Sequence, residues 1–260
     1  MALNLIMSAS YNALLAILLY ILDKKTAFSK TPYKLKQFII GVLFGLMAIF
    51  ATTTIGGFDI GDGTIMNVRD AAPLCAGLIF GAPAGIIAGL IGGIYRFVAV
   101  YFELAGTYTQ IACSVSTILA GFIAAILRNY MFDNKKPTWL YGLGIGMVTE
   151  VLHMLMIFFT NMDDAVNAFE FVKICTLPIV IGNGLAVGIA VFAVSVIGRE
   201  KFGLKKEQKQ ISQTFQSWLL ICIVIAFVAT SSFSSVLQTG MSEVQTNKTI
   251  EMSLSDVYQD

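Results

Sequence analysis

The sequence predicts an all-α membrane protein, a polytopic bundle of about eight transmembrane helices that includes a short two-helix hairpin turning at Pro83. Three observations carry this. Apolar residues make up 57% of the chain and charged residues 13%, where a soluble domain carries about 25% charged. The mean hydropathy is +0.78. Several apolar runs approach the roughly 20 residues that a helix needs to cross the hydrocarbon at 1.5 Å per residue. None alternates with period two, as the strands of a spanning β-barrel do.

The runs fall at 2–22, 37–55, 66–82, 84–102, 108–127, 138–160, 172–197 and 217–237. The first has no basic residue before it and Lys24 and Lys25 after it. It reads as an uncleaved anchor that starts outside and ends inside. The stretch from Met66 to Phe102 admits one helix or two. Lys24, Lys25, Lys30, Lys34 and Lys36 mark one basic loop, Arg128, Lys135 and Lys136 a second, and Arg199, Lys201, Lys205, Lys206 and Lys209 a third. Acidic loops alternate with them, carrying Asp59 and Asp62, then Asp163, Asp164 and Glu170. Only two crossings between 66 and 102 place every basic loop in the cytoplasm. The turn then falls at Gly81-Ala82-Pro83-Ala84, where proline suits the first turn of the following helix.

Both termini of the chain are accordingly expected outside the cytoplasm of a bacterial plasma membrane. Residues 1–200 read as one multi-pass sensor domain, 201–216 as a cytoplasmic connector, 217–237 as an additional transmembrane helix, and 238–260 as an extracellular tail opening a longer segment. The four cysteines lie in apolar segments without C-x-x-C spacing, so neither a disulfide framework nor a zinc site is expected. Nothing resembles a basic, aromatic-interleaved nucleic-acid face.

Ionisable groups inside membrane helices cost roughly 2.5–3.5 kcal/mol each on insertion scales and point to function. Here they are Arg69, Asp70, Arg96, Glu103, Glu150 and His153, with Asn67 and Asn183 as uncharged companions. The proposed topology brings Arg69, Arg96, Glu150, His153 and Asn183 to middle and outer depths. Two guanidiniums gathered in an outward-open pocket would grip a carboxylate or phosphate through forked hydrogen bonds. Internal neutralisation, Arg69 by Asp70 or Glu150 and Arg96 by Glu103, is the other reading, and spacing leaves both open. Glu150 and His153 share a helix face three residues apart. A di-iron site would need a second such pair, and His153 is the sole histidine, so no metal is expected. Gly77, Gly81, Gly85, Gly89 and Gly93 recur every fourth residue and read as close-packing surfaces. No phosphate loop, nucleophile elbow or kinase signature appears. The chain is expected to be no enzyme and to hold no cofactor, with any kinase, cyclase or phosphatase output missing or separate.

The run Asn67-Val68-Arg69, followed by Gly81-Ala82-Pro83-Ala84-Gly85, Gly89, Gly92-Gly93 and Arg96, resembles the LytS-YhcK type five-transmembrane receptor domain. Cys113 to Thr117 and Glu150 to His153 are similar to its second and third signatures, and the resemblance covers about residues 1–200. Gly81-Ala82-Pro83 has lost a glycine from the usual Gly-Gly-Pro, and the Arg96–Cys113 connection is longer than usual. The resemblance implies an input module of histidine kinases, diguanylate cyclases and related signalling proteins, some of which sense pyruvate or similar carboxylates. It implies that Arg69 and Arg96 grip the carboxylate and that Cys113 and Ser116 line the pocket. The resulting expectation is a receptor for a small extracellular anion. Its partners would be that carboxylate, the lipid bilayer and a cytoplasmic signalling domain. A homodimer is compatible with a receptor, though no residue specifies one. The alternative is the substrate-capture subunit of an energy-coupling-factor importer, which the six central helices, 37–197, also resemble.

Overall fold

The computed structural model describes residues 2–53, 58–59 and 65–199, together with the isolated positions 219 and 223. The chain separates into Met1–Glu207 and Gln208–Asp260. The second unit lies almost wholly outside the described residues, as do the expected connector, most of the helix at 217–237 and the tail.

The first unit is helical. Its helices are α1 (Ala2–Lys25), α2 (Tyr33–Thr52), α3 (Ala71–Phe80), α4 (Ala82–Ala99), α5 (Gln110–Ile126), α6 (Trp139–Thr160) and α7 (Ala165–Ile197). Phe58–Asp59 and Ile65–Met66 form a two-residue antiparallel pairing. Five stretches of the described residues are long and apolar enough to cross a membrane: Tyr33–Thr52, Ala82–Phe102, Gln110–Met131, Trp139–Thr160 and Met162–Ile197. At 1.5 Å per residue, the 20 residues of α2 rise about 30 Å. Exposed Leu46, Ile94, Phe122, Leu152 and Phe192 give these helices apolar outer faces, which lipid tolerates and water does not.

The crossing expected at 66–82 is shorter than its apolar run. Residues 67–70 are not helical, because Arg69 donates its backbone N–H to Asn67 Oδ1 at 3.1 Å and Met66 belongs to the extended pairing. The ten-residue α3 that remains widens into π geometry over Ala76–Phe80. It ends at Gly81, whose φ of +153° suits a residue without a side chain. Pro83 then occupies the first turn of α4, where its missing N–H costs nothing.

Gln37, buried in α2, holds this junction. Its Nε2 donates to Phe80 O at 3.0 Å and its Oε1 accepts from the Ala84 N–H at 3.2 Å. Arg128, just past α5, donates to Leu78 O. The glycine ladder lets the backbones approach. A Cβ on Gly85 would lie 2.7 Å from Gly77 Cα and 3.2 Å from Pro73 O, and one on Gly89 2.9 Å from Thr117 O. The ladder therefore locks α4 between α3 and α5. Both Arg69, at the start of α3, and Arg96, near the end of α4, are positioned by that packing.

Helix α7 runs 33 residues with Pro178 inside it. Proline leaves the carbonyl four residues earlier, that of Ile174, without its helical donor. Cys175 and Ile179, on either side of Pro178, join Met66, Ala112, Met154 and Ile157 in a buried apolar cluster.

Candidate functional site

Met66, Met154, Ile157, Cys175 and Ile179 of that cluster also line a pocket of about 640 Å³, its open mouth included, between α4, α5, α6 and α7. Arg69, Arg96, Asn67, Cys113, Glu150 and His153 all line it, beside Thr52, Thr109 and Tyr108. These six residues, all singled out from the sequence, thus meet in one place. Ser116 and Asn183 are not among the lining residues. Ser116 acts one step back, donating its hydroxyl to Asp70 Oδ2 at 2.7 Å. Asn183 turns its Nδ2 to Ile179 O, 3.3 Å away on its own helix.

Each arginine is anchored on one edge and open on another. Arg69 is 2% exposed. Its Nε donates to Thr117 Oγ1 at 2.7 Å and its Nη2 to Cys113 O at 3.2 Å. Its carboxylate neighbour is Asp70, with Nε 3.7 Å from Oδ1. Arg96 donates through Nη2 to Gly106 O at 2.9 Å and to Thr109 Oγ1 at 3.0 Å. Glu103, offered by the sequence as its counter-ion, has an exposed side chain. Among the described residues, Nη1 of Arg69 and Nη1 of Arg96 are buried without a hydrogen-bond partner.

Asp70 proves the organising acid of the site. It accepts from Ser116 Oγ and, at 2.6 Å, from Thr117 Oγ1, and its Oδ2 lies 3.3 Å from His153 Nδ1. Glu150 Oε1 sits 2.8 Å from that same Nδ1. Two carboxylates on one ring nitrogen fix a proton there and leave Nε2 to face Cys113 Sγ at 3.3 Å. Glu150 Oε2 is buried without a partner among the described residues.

The sequence offers Asp70, as an alternative to Glu150, as a counter-ion for Arg69. Its link to His153 escaped notice because the two are 83 positions apart. Nothing local marks Thr109, and Thr117 enters only as the end of the Cys113–Thr117 signature, since a threonine in an apolar helix ordinarily bonds its own backbone, as Thr149 does to Ile145 O. Asp70, Glu150 and His153 present three ligand atoms within 4.8 Å of one another, a spacing that a divalent cation could use. Arg69 beside Asp70 opposes a cation there, and the two carboxylates already meet His153 Nδ1 directly.

The family model described as 5TMR of 5TMR-LYT matches residues 6–197. The chain is 28% identical over 205 residues to the sensor histidine kinase YpdA of Escherichia coli K12, covering 77% of this chain and 34% of that protein. It is 27% identical over 215 residues to the sensor protein LytS of Staphylococcus saprophyticus, covering 76% and 34%. With the sensor histidine kinase BtsS of Escherichia coli K12 it shares 22% over 226 residues, covering 86% and 36%. The chain therefore spans about a third of the length of these relatives. No solved structure matches it significantly. The expectation of a protein outside the enzymes is corrected by these matches, since the relatives are named histidine kinases. The helices and the match together describe a multi-pass protein of the bacterial plasma membrane.

Proposed function

The chain belongs to the 5TMR-LYT family, the membrane sensory domain of LytS-type histidine kinases, and from that membership we propose that it is an outward-facing receptor for a small carboxylate of the pyruvate type. One observation carries the reading: Arg69 and Arg96 line a single pocket, and the Nη1 of each is buried without a hydrogen-bond partner among the described residues. A buried donor left unsatisfied costs about 1–3 kcal/mol, more when charged. A carboxylate reaching both forks removes that cost and recovers charge-assisted bonds. Asn67, Cys113, Glu150 and His153 complete the wall, and Ser116 steadies it through Asp70.

The topology belongs to the same proposal. The chain makes eight crossings with both termini outside, counting the α3–α4 reversal at Gly81-Ala82-Pro83 as an inward-pointing hairpin. The Arg128 bond to Leu78 O favours it, because it draws the basic segment 128–136 toward the tip of that reversal. The pocket then opens outward at the far end of α4. Ligand-driven repacking along the glycine ladder and α7 passes through the connector 201–216 to a cytoplasmic kinase output.

A thermal-shift screen of the purified protein against small organic acids and water-soluble vitamins tests the proposal. Pyruvate-like acids should raise the midpoint in wild type, and Arg69→Lys or Arg96→Lys should abolish most of the shift, because lysine lacks the planar fork. Stabilisation by a vitamin and by no carboxylate would turn the assignment toward the importer subunit.

A further inference from the structure

Cys113, His153 and the two carboxylates at Nδ1 form a relay of the kind that activates a nucleophile. The thiol stands 3.3 Å from Nε2, and the far ring nitrogen is oriented by Glu150 Oε1 at 2.8 Å and Asp70 Oδ2 at 3.3 Å. Nucleophile, base and orienting acid in that order are the working parts of covalent catalysis, whatever fold carries them. Cys113 is half-buried and lines the pocket, so its sulfur is within reach of a bound molecule. A cysteine on its own would say nothing. Here the same pocket is lined by Arg69 and Arg96, residues 2% and 5% exposed, whose Nη1 groups are buried without partners among the described residues and call for an anion beside that sulfur.

We propose that Cys113 captures 2-oxo carboxylates as a reversible hemithioketal while the arginines hold the carboxylate. The inference rests on the carboxylate reading above and adds a bond to it. Cys113 Sγ forms a bond to the carbonyl carbon, and the C=O π pair moves to the oxygen. His153 Nε2 takes the thiol proton and returns it to that oxygen, which becomes a hydroxyl. Nothing is oxidised or reduced, and no group leaves. The product also answers the third orphan atom of the site. Glu150 Oε2 is a buried acceptor lacking a donor among the described residues, and addition turns a carbonyl, which can only accept, into a hydroxyl that can donate. A 2-hydroxy acid offers the hydroxyl without the covalent bond, and a simple alkanoate offers neither. The relay thus selects among acids that two arginines alone would hold alike.

The test follows [2-13C]pyruvate by NMR on the full chain in nanodiscs, with propanoate as a carboxylate that has no electrophilic carbon. In wild type the bound label should leave the ketone region for that of a tetrahedral carbon. Cys113→Ala should lose the tetrahedral signal and about tenfold or more of the preference for pyruvate over propanoate, the worth of the hydrogen bond that the new hydroxyl gives to the Glu150 carboxylate. Bromopyruvate supplies a readout on unmutated protein. Displacement of its bromide should label Cys113 ahead of Cys75 and Cys175, and propanoate should protect it. A ketone shift persisting in a saturated, arginine-dependent complex overturns the covalent step and leaves the carboxylate site standing. Labelling of Cys75 or Cys175 in preference to Cys113 also overturns it. Absence of any arginine-dependent carboxylate binding removes the site and this inference together.

Discussion

A single methyl group at Gly85 should loosen the ligand pocket from a distance. In Gly85→Ala the new Cβ would sit 2.7 Å from Gly77 Cα, 3.1 Å from Gly77 N and 3.2 Å from Pro73 O. All three neighbours are backbone atoms, so no side chain can rotate away. Carbon atoms rest about 3.5–4.0 Å apart, so α3 and α4 must separate by about 1 Å. Overpacking of this kind costs about 1–3 kcal/mol. Arg69 begins just before α3 and Arg96 lies near the end of α4, so the separation also spreads the two guanidiniums. A displacement of about 1 Å at a positioned site is enough to cost around a hundredfold in function. The assay pairs a thermal midpoint with carboxylate affinity, using Gly142→Ala as the control. There the nearest atom is a valine methyl at 3.1 Å, which can shift. Gly85→Ala should lower both the midpoint and the affinity, and the control should change each much less. Equal midpoints and equal affinities for the two variants would refute the argument that the glycine ladder positions the arginines.

Two further substitutions address the scaffold. Gln37→Leu strips Phe80 O of its side-chain donor, while the Ala84 N–H keeps Gly81 O at 3.1 Å, and should destabilise the fold by about 1–3 kcal/mol, read as a lower thermal midpoint with little change in ligand specificity. Asp70→Asn removes the acid that joins Arg69, Ser116, Thr117 and His153, and breaking a buried charged network in this way costs about 3–5 kcal/mol. Its midpoint should fall further than that of Gln37→Leu. An unchanged midpoint for Asp70→Asn would show that the hydrogen bonds drawn to Asp70 contribute nothing.

The sequence yielded the ingredients of the site more readily than its wiring. Arg69 and Arg96 stood out because a guanidinium in an apolar run is costly, and Glu150 and His153 because helical spacing puts them on one face. Both signals are local. Asp70 reaching His153, or Thr117 joining Arg69 to Asp70, depends on helices distant in sequence coming together, and no periodicity reports that. Asn183 looked like a companion of the charged groups, yet its amide turns to its own backbone, a use that an asparagine in a helix conceals from the sequence. Helix α3 was drawn too long for a related reason. Apolar content marks 66–82 evenly, while the bond from the Arg69 N–H to Asn67 Oδ1 keeps the chain before Ala71 out of the helix. Gln37 went unmentioned because an uncharged amide at the start of an apolar segment carries no visible cost until its partners are known.

Calorimetric titration of pyruvate into wild type, Arg69→Ala, Arg96→Ala and the double variant tests the central claim most directly. Each single change should weaken binding by about 1.5–3 kcal/mol, the worth of hydrogen bonds to a charged group. The double variant should bind no more tightly than either. Affinity unchanged in all three folded variants would contradict the claim that the two guanidiniums form the receptor site.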